Sequence, residues 1–525
     1  MRGLRADDVR SALRASDTDD EASDAEAAED RRWVHTDEVC DEMCDSTCCN
    51  PAFTGPCGLL TLLLLIPLWR VFAAASDSTR FPTSALRPLD APERVDVVYM
   101  WVNGSDPVHD EALKRAQSSK LLQYRPHTSR FRDEGVFEYA LRSLLRARRL
   151  MARVRHVYIV TAGEVPSWLP LDGAAAVDGA PLQAHALRPP LRQPVALPLR
   201  PLVAHARAHG ERAADGAGGD GDGGDDDGRL IVVPHAAIFP NASAQLPTFN
   251  SNAILAALPR LPLLAEWFLY VDDDIVVSNP QLTLDFWWDA KGSRQRVYLQ
   301  SKVVVATRRP TNNNWEQAMT YMASLLDAVT PPTALPLAPP PPPPSPPPPP
   351  PPPAASTSAA ATAWLASLGR RVRGALSRAP RWRSRPPARV YAKPQHMPVL
   401  FSRSVVGEME RRWPADFEAT LRHRLRAPRE IELNFLYSHY LRLQRFPVAL
   451  GSRRRVGFVY LEDCATEGGA RRCKRELSAT ENDVVCFNDR AGSPKAHEKG
   501  AATLRAMLRQ RFGSFGERAP SSVLS

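Results

Sequence analysis

Four short runs constrain this chain more than any other feature. "VDVVYMW" (Val95–Trp101), "VRHVYIVT" (Val154–Thr161), "RLIVV" (Arg229–Val233) and "WFLYV" (Trp267–Val271) are β-branched and aromatic and almost free of charge. Runs of this kind suit strands buried on both faces of a sheet. Between the first two, "FEYALRSLLRARRL" (Phe137–Leu150) spaces its apolar residues for a helix, and "NAILAALPRL" (Asn252–Leu261) predicts a shorter helix before the fourth run. Strand alternating with helix predicts an α/β domain with a largely parallel sheet, whose ligands gather beyond the carboxyl ends of the strands. At two of those ends the chain turns polar, in "NGSDP" from Asn103 and in "DDDIV" from Asp272.

The second of these loops carries Asp272, Asp273 and Asp274 in succession. Adjacent carboxylates repel and lose hydration in a cleft, so the run costs stability unless a cation or hydrogen-bond donors compensate. A divalent ion bearing a nucleotide diphosphate takes one or two carboxylates plus phosphate oxygens, which fits a strand end of this kind. A solvated acidic loop is the alternative that spacing alone leaves open.

Around this core the composition is uneven. The 525 residues include 50 Pro and 28 Gly, concentrated in low-complexity stretches, and the net charge of +9 combines an acidic N-terminal part with an Arg-rich segment from Arg370 to Arg389. An acidic, Cys-containing tail (1–56) precedes "CGLLTLLLLIPLWRVFAAA" (57–75), whose length and apolarity fit a transmembrane signal anchor. Its flanking charges give no support for a cytosolic N-terminus, since Arg80 and Arg87 follow it and no Lys or Arg lies between Thr36 and Pro56. A stem (76–92) leads to a first catalytic section (93–330), expected to be interrupted by a disordered insertion near 173–228. A Pro-rich and Arg-rich linker (331–390), a second section (391–495) and a C-terminal tail (496–525) complete the chain. Five of the 8 Cys crowd the N-terminal side as palmitoylation candidates, whereas Cys464 and Cys473 are spaced to close a short disulfide loop in an oxidising compartment, leaving Cys486 unpaired or buried. The Arg-rich linker reads as solvated, and nucleic acid is not an expected partner.

Several segments together carry a family resemblance. "DVVYMWVNGSDP" (from Asp96), "RFRDEGVFEYALRSL" (from Arg130), "VYIVTAGEVPSWL" (from Val157), "LPTFNSNAI" (from Leu246), "FLYVDDDIVV" (from Phe268), "HMPVLFSRSVVGEME" (from His396) and "VVCFNDR" (from Val484) resemble, in order, the four conserved regions of the Stealth family of sugar-phosphate transferases. The resemblance implies a Rossmann-like, glycosyltransferase-A-like catalytic domain and transfer of a hexose-1-phosphate, with N-acetylglucosamine-1-phosphate the first expectation. The donor would be a UDP-sugar and the acceptor a glycan or glycoprotein. It also implies a divalent metal, Mg²⁺ first with Mn²⁺ or Ca²⁺ as alternatives, and a type II single-pass Golgi membrane enzyme with a lumenal catalytic domain, for which a homodimer is an open expectation. Asp274, His396 and Arg426 are its catalytic candidates; Asp273, Asp274 and Asp489 its metal ligands; Trp101, Asn103, Asp106, Arg130, Asn250 and Asn488 its substrate contacts. His396 would take a proton, because imidazole titrates near neutrality, and Arg426 would neutralise phosphate charge. A conventional glycosyltransferase or a catalytically inactive glycan-binding scaffold are the alternatives. Two departures bear on donor selection: Val136, Phe137 and Glu138 stand where the family carries an acidic-Leu-Arg element, and Leu255 stands where a Glu is usual.

Overall fold

The computed structural model describes residues 86–118, 131–132, 134–182, 184–187, 189–208, 228–291, 293–305, 314–329, 390–452, 455–489 and 494–516. The expected membrane span at 57–75, the acidic tail, most of the stem and of the linker, and Arg130 lie outside these residues. Among the described residues no helix is long and apolar enough to cross a membrane.

The chain runs through β1 (Val95–Met100), α1 (Pro107–Gln117), α2 (Phe137–Arg146), β2 (Val154–Thr161), β3 (Ala175–Ala176), β4 (Val195–Pro198), α3 (Leu199–Ala208), β5 (Arg229–Pro234), α4 (Ser251–Ala257) and β6 (Trp267–Asp272). β7 (Ile275–Val277) then leaves for a second sheet, followed by β8 (Trp288–Asp289), β9 (Arg294–Val297), β10 (Leu299–Val305) and α5 (Asn314–Asp327). The second section contributes β11 (Val390–Pro394), β12 (Val399–Ser402), α6 (Arg403–Arg412), α7 (Pro414–Arg422), α8 (Leu433–Leu443), β13 (Val448–Leu450), β14 (Val456–Tyr460), α9 (Glu467–Ser478), β15 (Val484–Asn488) and α10 (Pro494–Phe512).

The central sheet has seven strands in the order β12-β6-β1-β2-β5-β4-β3. Its middle four are the four runs read from the sequence, all parallel; β12 and β4 join them antiparallel on either side. Alternate side chains of these strands face opposite layers, as the period of two requires. Val97, Tyr99, Val157 and Leu269 pack with Leu141 of α2 and Leu504 of α10. Val98, Tyr158 and Phe268 pack with Leu255 of α4, Met322 of α5, Val406 of α6 and Leu436 of α8. The sheet is therefore covered on both faces by helices, which explains why its central strands lack an alternating polar pattern.

One charge is embedded at the start of β1. Asp96 is fully buried and accepts from Arg155 Nη2 at 2.8 Å, Arg155 Nε at 3.1 Å, His156 N at 3.1 Å and Ala265 N at 2.6 Å. These donors tie β1 to β2 and to the loop before β6. Asp96→Asn turns an amide N–H₂ towards the guanidinium or the backbone donors and is expected to cost about 1–3 kcal/mol, read as a lower denaturant midpoint at unchanged slope.

Two expectations are corrected. The insertion near 173–228 is not wholly without structure: β4 pairs with β5, and Val195, Leu197, Leu199, Leu202 and Ala206 are buried. A short Leu/Ala/Pro-rich strand cannot fold alone, but it needs only the free edge of β5 to complete its hydrogen bonds; residues 209–227 lie outside the described set. Likewise, the segment expected as a C-terminal tail is mostly α10, whose Ala501, Leu504, Leu508 and Phe512 are buried. Many Ala and Arg residues dilute its apolar spacing in the sequence. α10 approaches the turn Leu461–Ala465 so closely that a Cβ on Gly500 would lie 2.1 Å from the Leu461 carbonyl oxygen. The expected Cys464–Cys473 disulfide is formed and fastens that same turn to α9.

Candidate active site

The two polar loops leave the same edge of the sheet. β1 and β6 are parallel neighbours in the register Met100↔Asp272, so the segment after Met100 and the three acids emerge side by side. After the turn at Asp273 and Asp274, β7 pairs antiparallel with β15, placing Cys486 opposite Ile275. Phe487 N donates to the Asp274 carbonyl at 3.0 Å, fixing this turn to β15. On the other side of β6, β12 runs antiparallel with Val399 opposite Tyr270, so the residues just before β12 lie beside the acids. His396 is among them.

These three approaches build one cluster. His396 Nε2 is 3.2 Å from Asp272 Oδ2, its Nδ1 is 3.1 Å from Cys486 Sγ, and the Cys486 thiol donates to Asp274 Oδ2 at 3.5 Å. Tyr270 donates its hydroxyl to Asp272 Oδ1. The His396 side chain is 43% exposed, so the cluster opens to solvent at the imidazole. Arg426, in the loop between α7 and α8, donates to Ser251 Oγ at 2.7 Å, and its charge acts on Asp272.

The charges divide the acids into unlike groups. Burial opposes ionisation of Asp272, but His396, Tyr270 and Arg426 outweigh it and hold the carboxyl below its usual range. Burial raises Asp274 to about 6, assisted by Asp272 and resisted by His396. Desolvation works against a charged His396, yet Cys486 and the Asp272 carboxylate raise it well above the ordinary imidazole value. Cys486 itself is pushed up to about 12 by burial and by Asp274, so it stays a thiol and a donor. One oxygen of Asp274, Oδ1, is buried without a hydrogen-bond partner. A buried carboxylate oxygen with no donor is where a cation fits, and the ligand atoms of Asp274, His396 and Cys486 lie within 4.8 Å of one another.

The remaining expected residues fall into distinct positions. Trp101 is buried, stacks on Phe137 at 5.9 Å, and its indole N–H has no hydrogen-bond partner. Asn103 Oδ1 accepts from Ser105 N at 3.1 Å, and Asp106 caps α1 by accepting from Val108 N at 2.8 Å, so both shape the loop after β1. Asn250 is fully buried; it caps α4 and donates to Glu430 Oε2 at 2.7 Å. Asp273 occupies the turn, and Asn488 ends β15 opposite Tyr460. Asp489 does not join the Asp274 cluster: its carboxylate lies with Glu134 and His497.

Three site residues were not anticipated. Cys486 lies in the quoted "VVCFNDR" segment, and that resemblance was the one available signal for it. Tyr270 is visible only once β6 is known to turn it towards Asp272. Glu430, buried at the foot of the Arg426 loop, accepts from Asn250 Nδ2 at 2.7 Å, Asn252 Nδ2 at 2.8 Å and Ala427 N at 3.0 Å, an arrangement no local spacing announces. It ties Arg426 to α4. Both departures from the family pattern are core positions: Glu138 accepts from Ser514 Oγ at 2.7 Å and Phe515 N at 2.6 Å, and Leu255 is 3% exposed. Neither faces the acids through the contacts it makes.

The Cys486 thiol touches both His396 and Asp274 without being ionised, so its expected part is to position them. Cys486→Ala is expected to lower turnover about 10-fold while leaving the melting temperature within a few degrees, checked by steady-state kinetics beside a thermal scan.

An α/β sheet with a carboxylate, imidazole and guanidinium cluster at the carboxyl ends of its central strands has the placement of a ligand-binding site. Three segments match known family regions: Stealth protein conserved region 1 at residues 93–120, conserved region 2 at 224–295 and conserved region 3 at 395–442. In these regions the chain is similar to the Stealth family, and the matches support a sugar-phosphate transferase of that kind. It is 25% identical over 424 residues to an exopolysaccharide phosphotransferase of Streptomyces coelicolor, covering 80% of this chain and 50% of that protein. It is 29% identical over 171 residues to the N-acetylglucosamine-1-phosphotransferase subunits alpha/beta of Mus musculus, covering 33% of this chain and 9% of that protein. A capsular polysaccharide phosphotransferase of Actinobacillus suis is 25% identical over 239 residues, covering 44% of this chain and 48% of that one. The chain thus spans half or less of the length of these relatives. A solved galactosyltransferase, LgtC, aligns with a TM-score of 0.29 at 10% identity over 82% of this chain and 98% of its own, too slight a likeness to carry an argument.

Proposed function

We propose that this chain is a sugar-1-phosphate transferase, moving a hexose-1-phosphate from a UDP-sugar to a glycan hydroxyl with release of UMP. The observation that carries the proposal is the Asp272, Asp274, His396 and Arg426 cluster at the ends of β6 and β1, in a chain whose matched relatives are named phosphotransferases. N-acetylglucosamine-1-phosphate is the group to test first, in keeping with the mammalian relative.

In the reaction the acceptor oxygen forms a bond to the sugar-bearing phosphorus, the bond from that phosphorus to the bridging oxygen breaks, and UMP departs with the electron pair. A divalent cation, when bound, would neutralise pyrophosphate charge, with Asp273 and Asp274 as the carboxylates offered to it. Arg426, held by Ser251 and by the Glu430 anchor, presents positive charge to phosphate oxygens. His396 is the proton-handling group at the solvent-open side. Paired with Asp272 it holds its proton, and it accepts one from the hydroxyl only after that pairing loosens on substrate binding. Trp101, with an indole N–H to offer, and the loop from Asn103 to Asp106 form the donor side with Asn488; Arg130, outside the described residues, is the further donor contact that the resemblance implies. Asn250 serves by positioning Glu430.

Secretory placement fits the same reading: a Golgi membrane enzyme of type II topology, with the disulfide-bearing domain in the lumen. The test is a screen of UDP-sugars with the purified full chain, with and without chelator, reading nucleotide product. UMP formed only with a divalent cation is expected. UDP as the product points instead to a conventional glycosyltransferase and rejects phosphotransfer.

A further inference from the structure

A second group of ligating side chains lies apart from the cluster above, and the geometry points to it as a buried zinc-class cation site. Its members come from four elements: Glu134 just before α2, Glu462 in the turn Leu461–Ala465, Asp489 just after β15, and His497 in the first turn of α10. His497 Nε2 is 2.5 Å from Glu134 Oε1, and its Nδ1 is 3.1 Å from Asp489 Oδ1 and 3.5 Å from Glu462 Oε1. The side chains of His497 and Glu462 are each 7% exposed, that of Glu134 15% and that of Asp489 17%.

Charge is the reason to expect an ion. Three carboxylates surround one imidazole, so even an imidazolium leaves the group negative, and the nearby Arg505 guanidinium is directed to the Glu134 backbone carbonyl at 2.9 Å. Both Asp489 oxygens are buried and make no hydrogen bond of acceptable geometry, and His497 Nδ1, on a side chain more than nine-tenths buried, makes none either. Unbalanced buried carboxylates cost several kcal/mol in general, which a divalent ion removes.

The donor set selects the ion. Imidazole nitrogen with carboxylate oxygens suits zinc, whereas Mg²⁺ favours an octahedral shell of oxygens and water. The ligand atoms of Glu134, Asp489 and His497 lie within 4.8 Å of one another. A tetrahedral zinc with bonds of about 2.1 Å separates its ligands by about 3.4 Å, so side-chain adjustments of about an ångström complete the site. The ion would fasten α10 to the end of β15 and to the segment before α2, beneath the strand that carries Cys486. None of its ligands belongs to the Asp274, His396 and Cys486 group, so this inference stands or falls separately from the proposed reaction.

The test uses the full chain, stripped with chelator, dialysed and given Zn²⁺ alone. Bound zinc is counted by mass spectrometry of the metal, and the melting temperature is recorded, for wild type, Asp274→Asn, His497→Gln and Glu462→Gln. Wild type is expected to hold one more equivalent per chain than either His497→Gln or Glu462→Gln and to gain more melting temperature with zinc than they do, while Asp274→Asn, altered only at the other cluster, keeps a zinc-dependent melting shift. The site is rejected if either His497→Gln or Glu462→Gln, with a circular dichroism spectrum like that of wild type, keeps the wild-type zinc count and the wild-type melting shift. Absence of a zinc-dependent melting shift in the wild-type chain rejects it as well.

Discussion

Asp274→Asn is expected to reduce UMP formation by at least about 10³-fold, because it removes the one acid of the cluster that keeps a buried oxygen free for a cation. The same change should leave the protein more stable in chelator at neutral pH. An unfolded aspartate titrates near 3.9, whereas burial and Asp272 move Asp274 to about 6 in the folded state. Between those values the folded state binds the additional proton, so stability falls as pH rises from about 4 to about 6, and the whole penalty is present above. Removing it is worth about 1–3 kcal/mol at pH 7 and nothing below about pH 4. Denaturant midpoints for wild type and variant at pH 4 and pH 7 check this. A variant that is inactive and also destabilised at pH 7 would mean that Asp274 is structural.

His396→Gln is expected to lower turnover by about 10²–10⁴-fold, the range for loss of a proton-transferring group. Its effect on the fold has the opposite sign. The imidazole faces Asp272 at 3.2 Å, and the raised folded value means that the contribution of His396 to stability is fully present below its unfolded value of about 6.5 and fades as pH rises through the folded one. Gln keeps a donor but loses the charge, so the variant should be less stable than wild type at pH 6 and approach it at high alkalinity. Urea titrations across that window distinguish this pattern from a uniform loss of packing, which would be the same at every pH.

How far the sequence reaches is set by which interactions are local. The four central strands lie nearly where their β-branched runs place them, because strands buried on both faces must be apolar throughout. The helix at Phe137 starts where its spacing begins, and breaks after Arg146. The strand β4 escaped notice because it takes its partner β5 from another part of the chain and carries no strong composition of its own. α10 escaped because its apolar stripe is interleaved with Ala, Gly and Arg.

The site divides in the same way. Asp272 and Asp274 can be read locally, as acids at a strand end. His396 came from the family resemblance, and its pairing with Asp272 depends on the antiparallel register of β12 against β6, more than 120 residues away in sequence. Cys486 depends on β15 pairing with β7. Asp489 shows the limit most clearly, since the end of β15 sets it beside Glu134, just before α2, and His497 of α10, which a motif of five or six residues cannot reveal.

Isothermal titration calorimetry of UDP-N-acetylglucosamine into the full-length wild-type chain, in Mg²⁺ or Mn²⁺ and again in chelator, bears most directly on the central claim. The account predicts saturable binding with the cation, its loss in chelator, and its loss in Asp274→Asn even with the cation present. Equal binding in chelator, or no UDP-sugar uptake by folded wild-type protein under any of these conditions, would contradict it.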